Sequence, residues 1–208
     1  MKWFGIASGV FWLITYLLII RRGYLDKACG MPMAALCLNI SWEFIFSFVY
    51  PHAGIQRVIN IAWFALDLAI VAQFLRYESV RRPADRPALL FFGGFLSVLI
   101  VSFLAVLFTT LEFGNGIGSY SAFGQNLVMS ILFVGMLLDR NDLAGQSVYI
   151  GLAKMLGTFC ASALVFAYTP ESRLTVFYAW AIVFFDLAYV ALFIWKSRRL
   201  GIRPLARW

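Results

Sequence analysis

Residues Ala88 to Thr110 read ALLFFGGFLSVLIVSFLAVLFTT, without one charged side chain. Wound as an α-helix at ~1.5 Å per residue, the stretch is about 34 Å long and covers the hydrocarbon core of a bilayer. Working outward, apolar segments of similar length lie near 3–20, 31–50 and 58–75 on one side, and near 120–138, 145–168 and 174–195 on the other. Barrel strands would be shorter and would alternate, so the segments are predicted to be helices. The first ends on Arg21-Arg22 with no small-residue cleavage site before them, and reads as a span rather than a signal peptide. The expected fold is an all-α membrane protein, with residues 1–208 forming a single domain of seven transmembrane helices.

Composition agrees. The 208 residues are 62% apolar and 13% charged, and mean hydropathy is +0.85. The charged share is about half that of soluble domains. A soluble enzyme, a disordered chain and a disulfide-rich secreted module are excluded. The three cysteines (Cys29, Cys37 and Cys160) have no C-x-x-C spacing, and the single histidine, His52, sits in a loop beside Pro51. Neither a disulfide framework nor a metal site is expected. The net charge of +7 is not a nucleic-acid signal, because the basic residues lie between apolar segments.

Those basic residues predict orientation. Thirteen of the 17 Lys and Arg fall in the connections near 21–30, 76–87 and 139–144 and in the tail from Lys196. Three, Lys2, Arg57 and Arg173, fall on the opposite side. By the positive-inside rule the N-terminus is outside and the C-terminus cytoplasmic. An internal repeat is also suggested. The eight residues Asp67–Phe74 match Asp186–Phe193 at six positions, with an offset of 119 that also pairs Pro51 with Pro170 and Arg21 with Arg140. Residues 1–75 would then correspond to 120–195 in the same orientation, with 88–110 as a linker helix, a 3+1+3 parallel repeat.

Four ionisable residues lie inside spans: Glu43, Asp67, Lys154 and Asp186. Each costs at least about 2.5–3.5 kcal/mol at bilayer depth, so a site in the bundle interior is expected. Helical spacing puts Asn39, Glu43 and Tyr50 on one face with Trp42 and Phe46 beside it; Asn60, Trp63 and Asp67 share a second face. Asp186 and Tyr189 share a third, next to Phe185, and Gln125, Asn126 and Ser130 add polar groups to the fifth span. Asp67 also has a structural reading, as the ion-pair partner of Lys154. Trp3, Trp195 and Trp208 read as interface anchors.

Carboxyls among aromatic rings carry a specific chemistry. A water-shielded carboxylic acid acts as a general acid, and aromatic faces stabilise cations by about 2 kcal/mol or more when desolvated. An acid that makes a carbocation inside an aromatic cage is what terpene cyclisation needs. A proton-coupled small-molecule transporter of 3+1+3 architecture is the alternative, since such folds also bury acids. The prolines lie at span ends or in loops, not within the helices a transporter would break. A seven-span retinal protein would need a lysine in its last span at membrane depth, whereas Lys154 is in the sixth.

Several motifs carry a resemblance. Ser41-Trp42-Glu43-Phe44 leading to Tyr50-Pro51, Trp63 to Asp67, Gly124 to Ser130, Lys154 to Thr158, and Phe185-Asp186 resemble the small integral-membrane terpene cyclases of pyripyropene- and paxilline-type meroterpenoid pathways and their bacterial relatives in indole sesquiterpenoid pathways. The resemblance covers nearly the whole chain. It implies cyclisation of a linear prenyl chain, usually farnesyl, on an aromatic or indole-type group, started by protonation of a terminal epoxide or alkene. It maps the family's acidic pair onto Glu43 and Asp186. No Asp-Asp-x-x-Asp stretch is present, so ionisation of a diphosphate by Mg²⁺ is not implied, and no cofactor is expected. The expected catalytic residues are Glu43 and Asp186, with Asp67 orienting them. The expected substrate contacts are Trp42, Phe46, Tyr50, Trp63, Asn126, Phe185 and Tyr189. The expected partners are the prenylated substrate and the lipid of the cell membrane.

Overall fold

The computed structural model describes residues 2–82, 85, 87–114, 118–168 and 170–208. Arg86, one of the basic residues counted above, lies outside them. The described residues contain no strand. Seven main helices run in chain order: α1 (Lys2–Asp26), α2 (Met33–Phe44), α3 (Ile55–Gln73), α4 (Ala88–Glu112), α5 (Ser119–Asp139), α6 (Val148–Tyr168) and α7 (Arg173–Arg199). Six are long and apolar enough to cross a membrane. The exception is α2, which continues through a π-helical turn, Ile45–Val49, into a shorter apolar helix, Met33–Val49. Most of α2 is buried, so its neighbours rather than lipid satisfy it.

Among the boundaries that differ from expectation, three have a plain physical reason. The first helix runs past residue 20 to Asp26, where Arg22 and Asp26 pair one turn apart. The third continues past residue 75 through a π turn, Phe74–Glu78, and a last turn, Ser79–Arg81. The sixth starts at Val148 rather than 145, because Gly145 is in the left-handed region (φ 75°). Gly145 also touches the next loop: a Cβ there would lie 2.9 Å from the Cys29 carbonyl.

The third helix of each set of three packs on the other two: α3 on α1 and α2, and α7 on α5 and α6. The two sets are joined by α1 against α6 and by α2 against α5, while α4 lies on α2. The end of the bundle holding the C-terminus of α1 is closed by polar contacts. Arg140 donates to the Cys29 and Ala144 carbonyls at 3.0 and 2.6 Å and to Glu78 at 3.1 Å. Arg207, from the tail, reaches Asp26 at 2.6 Å and the Leu143 carbonyl at 2.8 Å. Asp26 also accepts from the Gly145 N–H at 2.8 Å. Loops and tail are thereby stitched together at this end.

Candidate active site

At the other end the helices part around a cavity of about 520 Å³, within the range of small-ligand sites. Its lining comes from one half of the bundle only. It runs from Gly5 to Tyr16 on α1, Asn39 to Glu43 on α2, Gln56 and Trp63 on α3, Ser119 to Asn126 on α5, and Thr158 to Tyr168 on α6, with His52 and Ala53 from the loop after α2. Among the described residues, neither α4 nor α7 contributes to the wall.

Glu43 is the one Asp or Glu among the described lining residues. Its Oε1 accepts from the Tyr16 hydroxyl at 2.5 Å and from Asn39 Nδ2 at 3.0 Å. Asn39 Nδ2 also donates to Asp67 Oδ2 at 2.8 Å and lies 2.6 Å from the Tyr16 hydroxyl. Three helices, α1, α2 and α3, thus converge on one amide. Glu43 and Asp67 are 1% and 0% exposed, and their carboxyls lie within hydrogen-bonding reach of each other.

Rings cluster beside the acid. Trp12 and Trp63 flank Tyr16, with centroids 6.0 and 6.4 Å away. Trp42, next to Glu43 in sequence, donates its Nε1–H to the Gly118 carbonyl at 3.1 Å. Gly118 caps α5 with φ 62°, and a Cβ there would lie 2.1 Å from the Phe46 ring. Only glycine allows α5 to begin against Trp42 and Phe46.

The remaining ionisable residues form a separate pair. Lys154 Nζ donates to Asp186 Oδ1 at 2.8 Å and to Ser130 Oγ at 2.6 Å, and lies 5.9 Å from the Trp12 ring centre. Ser130 Oγ donates to the Asn126 carbonyl at 2.9 Å, and Asn126 Nδ2 donates to Thr158 Oγ1 at 2.8 Å. Through this chain of bonds the ion pair supports the α5–α6 wall from behind.

Of the residues expected from sequence, Glu43, Trp42, Trp63 and Asn126 line the cavity. Asp67 sits behind Glu43, bonded to Asn39 and within hydrogen-bonding reach of the Glu43 carboxyl. Asp186 is off the wall and paired with Lys154, so the acid near Glu43 is Asp67, not Asp186. Lys154, in turn, does not pair with Asp67. Phe46 is fully buried between Trp42 and His52, with centroids 4.7 and 4.8 Å away. Tyr50 is exposed after the π turn, Phe185 lies edge-on to Phe184, and Tyr189 packs against Phe133 and Phe193. None of these four, Phe46, Tyr50, Phe185 and Tyr189, lines the cavity.

Sequence reasoning passed over the α1 wall. Ser8, Trp12 and Tyr16 recur every fourth residue, a stripe of polar and aromatic groups that signals an inward face. His52 is in a loop, as expected, and its ring lines the cavity next to Trp42, with Nδ1 2.9 Å from Asn60 Nδ2. Nothing in the local sequence announces that placement.

The sequence profile of the Pyr4-like transmembrane terpene cyclases matches residues 1–199. The chain belongs to that family. Among curated proteins, the Pyr4-family terpene cyclase mfmH of Annulohypoxylon moriforme is 34% identical over 176 residues, covering 80% of this chain and 72% of the relative. The terpene cyclase pyr4 of Aspergillus fumigatus is 27% identical over 216 residues, covering 95% and 86%. Asnovolin H synthase nvfL of Aspergillus novofumigatus is 30% identical over 166 residues, covering 77% and 67%. No solved structure matches. The protein is therefore a multi-pass membrane enzyme of the terpene cyclase class.

Proposed function

We propose that this cyclase protonates the terminal epoxide or alkene of a linear prenyl chain, farnesyl in length, carried on an aromatic or indole-type head, and that Glu43 delivers the proton. The observation that carries the reading is that Glu43 is the one carboxyl on the described cavity wall and faces a second buried carboxyl, Asp67. One of its oxygens is held by Tyr16 and Asn39. Two carboxyls meeting on the Asn39 amide repel if both are charged, so a shared proton is favoured. Asp67 is the partner that takes the negative charge while Glu43 carries the proton.

The step is an addition. The Glu43 proton moves to the epoxide oxygen or the alkene carbon. The C–O or π bond breaks, and the neighbouring carbon becomes cationic. Internal double bonds attack in turn, each forming a C–C bond, and loss of one proton ends the cascade. The product is an isomer of the substrate. The faces of Trp12, Tyr16, Trp42 and Trp63 stabilise the moving charge. Asp186 acts at one remove, holding Lys154 and with it the Ser130–Asn126–Thr158 wall. The transporter alternative gains nothing from a cavity whose far end is closed by buried side chains and stitched loops.

The same reading takes residues 1–75 and 120–195 as a parallel repeat in a cell-membrane protein with its N-terminus outside. The packing supports it: exchanging α1, α2 and α3 with α5, α6 and α7 turns α1·α6 into α5·α2 and keeps the contacts within each set. Asp67 and Asp186 then take equivalent positions, each bonded to the second helix of its own set.

The test is incubation of membranes holding the protein with a linear farnesylated aromatic, as epoxide and as alkene, with products read by mass spectrometry and NMR. A cyclic product of unchanged mass from either is expected. Recovery of both linear compounds, with folded protein present, would refute the reading.

A further inference from the structure

Among the described residues, nothing donates to two oxygen atoms of the cavity's α5 wall. Gln125 Oε1 and Asn126 Oδ1 are buried without a hydrogen-bond partner, on residues each 8% exposed, and both residues line the cavity. The Asn126 side chain cannot turn freely, because its Nδ2 donates to Thr158 Oγ1 at 2.8 Å. Its carbonyl oxygen is therefore held in place by the wall that Lys154 and Asp186 support.

A buried carbonyl oxygen left without a donor keeps its full desolvation penalty, so native structures rarely leave one unless something else fills the place. Here there are two on adjacent residues. A prenyl chain is all C–H and C=C and cannot donate. The aromatic rings and the acid serve the chain; these two oxygens ask for an N–H or an O–H.

We propose that Gln125 and Asn126 form a head-group subsite, which accepts a hydrogen bond from an N–H or O–H on the group carrying the prenyl chain. The proposal rests on the cyclase reading above and adds which chemical class of head group the cavity selects. The placement fits the chemistry. Glu43 projects from α2 and the two amides from α5, two helices that pack together and are tied by the bond from Trp42 to the Gly118 carbonyl. Gln125 lies about 10 Å along α5 from Gly118, and Glu43 is next to Trp42 in sequence, so both are reached from the same end of the bundle. A substrate with its head on α5 and its chain end at Glu43 is held bent within one cavity, as ring closure requires.

The test uses matched substrates that share a prenyl chain and differ only in the head: a free N–H or O–H in one, its N- or O-methyl counterpart in the other. Turnover of both is measured for the wild type and for Gln125→Leu, with Asn126→Leu as a second variant and detergent-solubilised size-exclusion profiles as the check on folding. The wild type is expected to prefer the donor-bearing compound about ten- to a hundredfold in kcat/KM, the worth of one buried hydrogen bond. Gln125→Leu should bring that ratio close to one, mainly through KM. Among the described residues the Gln125 side chain holds no other side chain in place, so this variant reads the subsite even if Asn126→Leu folds poorly. Equal use of both compounds by the wild type, or a preference that Gln125→Leu leaves intact, overturns the subsite and leaves the cyclase reading standing. Failure of the wild type to cyclise either compound overturns the cyclase reading and the subsite with it.

Discussion

Glu43 and Asp186 are both buried acids in apolar helices, yet their surroundings give them different work. Glu43 lies on the cavity wall, bonded to Tyr16 and Asn39 and facing a second carboxyl, Asp67. Asp186 faces a lysine. Replacing Glu43 by Gln keeps shape and polarity and removes the acidic proton. Turnover should fall by at least the ~10²–10⁴ of a general acid, with folded yield close to wild type; near-normal turnover would remove Glu43 from the mechanism. Asp186→Asn should act differently. It leaves Lys154 charged and unpaired among apolar groups, a loss of about 3–5 kcal/mol, so folded yield and Tm should drop before chemistry is read. The double variant Lys154→Met/Asp186→Leu should recover much of that yield. If Asp186→Asn instead folds as stably as wild type and loses only turnover, Asp186 is a reacting group and not a prop. The sequence made the four buried ionisable residues visible, because each breaks an apolar span. It could not pair them, since pairing depends on which helices are neighbours, and the offset that equates Asp67 with Asp186 carries no information about Asn39 facing one and Lys154 the other.

At the scale of elements, apolar run length was enough to find every helix, because lipid asks for length and little else. It was poorer at ends. The extensions of α1 to Asp26 and of α3 to Arg81 are made by charged and polar residues that a hydropathy reading counts as loop. The π turn after Glu43 leaves no mark in composition, though it brings the His52 N–H to the Phe46 carbonyl at 3.1 Å and with it the ring to the cavity. The entry to α5 offers a test of how tightly elements are fitted. Gly118 and Gly201 both have positive φ, but only at Gly118 would a Cβ strike a ring, that of Phe46 at 2.1 Å; at Gly201 nothing lies within 4 Å. Both alanine variants carry a backbone cost of order 1–3 kcal/mol. Gly118→Ala should lower Tm in detergent clearly further than Gly201→Ala and should shift the product pattern, since Phe46 and Trp42 move with it. Equal Tm losses would mean that Phe46 yields without strain and that this contact does not shape the cavity.

For the whole molecule, the distribution of charge and the position of the cavity bear on one question, the side from which substrate arrives. The end that gathers most Lys and Arg is also the closed end, where Arg140 and Arg207 tie loops and tail together. The cavity lies in the opposite half, where Tyr168 is 69% exposed and Ala53 stands at the surface. If the basic end is cytoplasmic, as the positive-inside rule has it, substrate enters from the outer side. Cysteine chemistry can read this directly, because Cys29, Cys37 and Cys160 are all buried and a new thiol at the rim will dominate labelling. Ala53→Cys should react in intact cells with a maleimide that cannot cross the membrane, and the bulky adduct at the rim should depress turnover in membranes prepared from those cells. A cysteine placed at Arg203, on the basic end, should react only after the cells are opened and should cost little turnover when labelled. Labelling of Arg203→Cys in intact cells together with protection of Ala53→Cys would reverse the orientation and put the entrance on the cytoplasmic side.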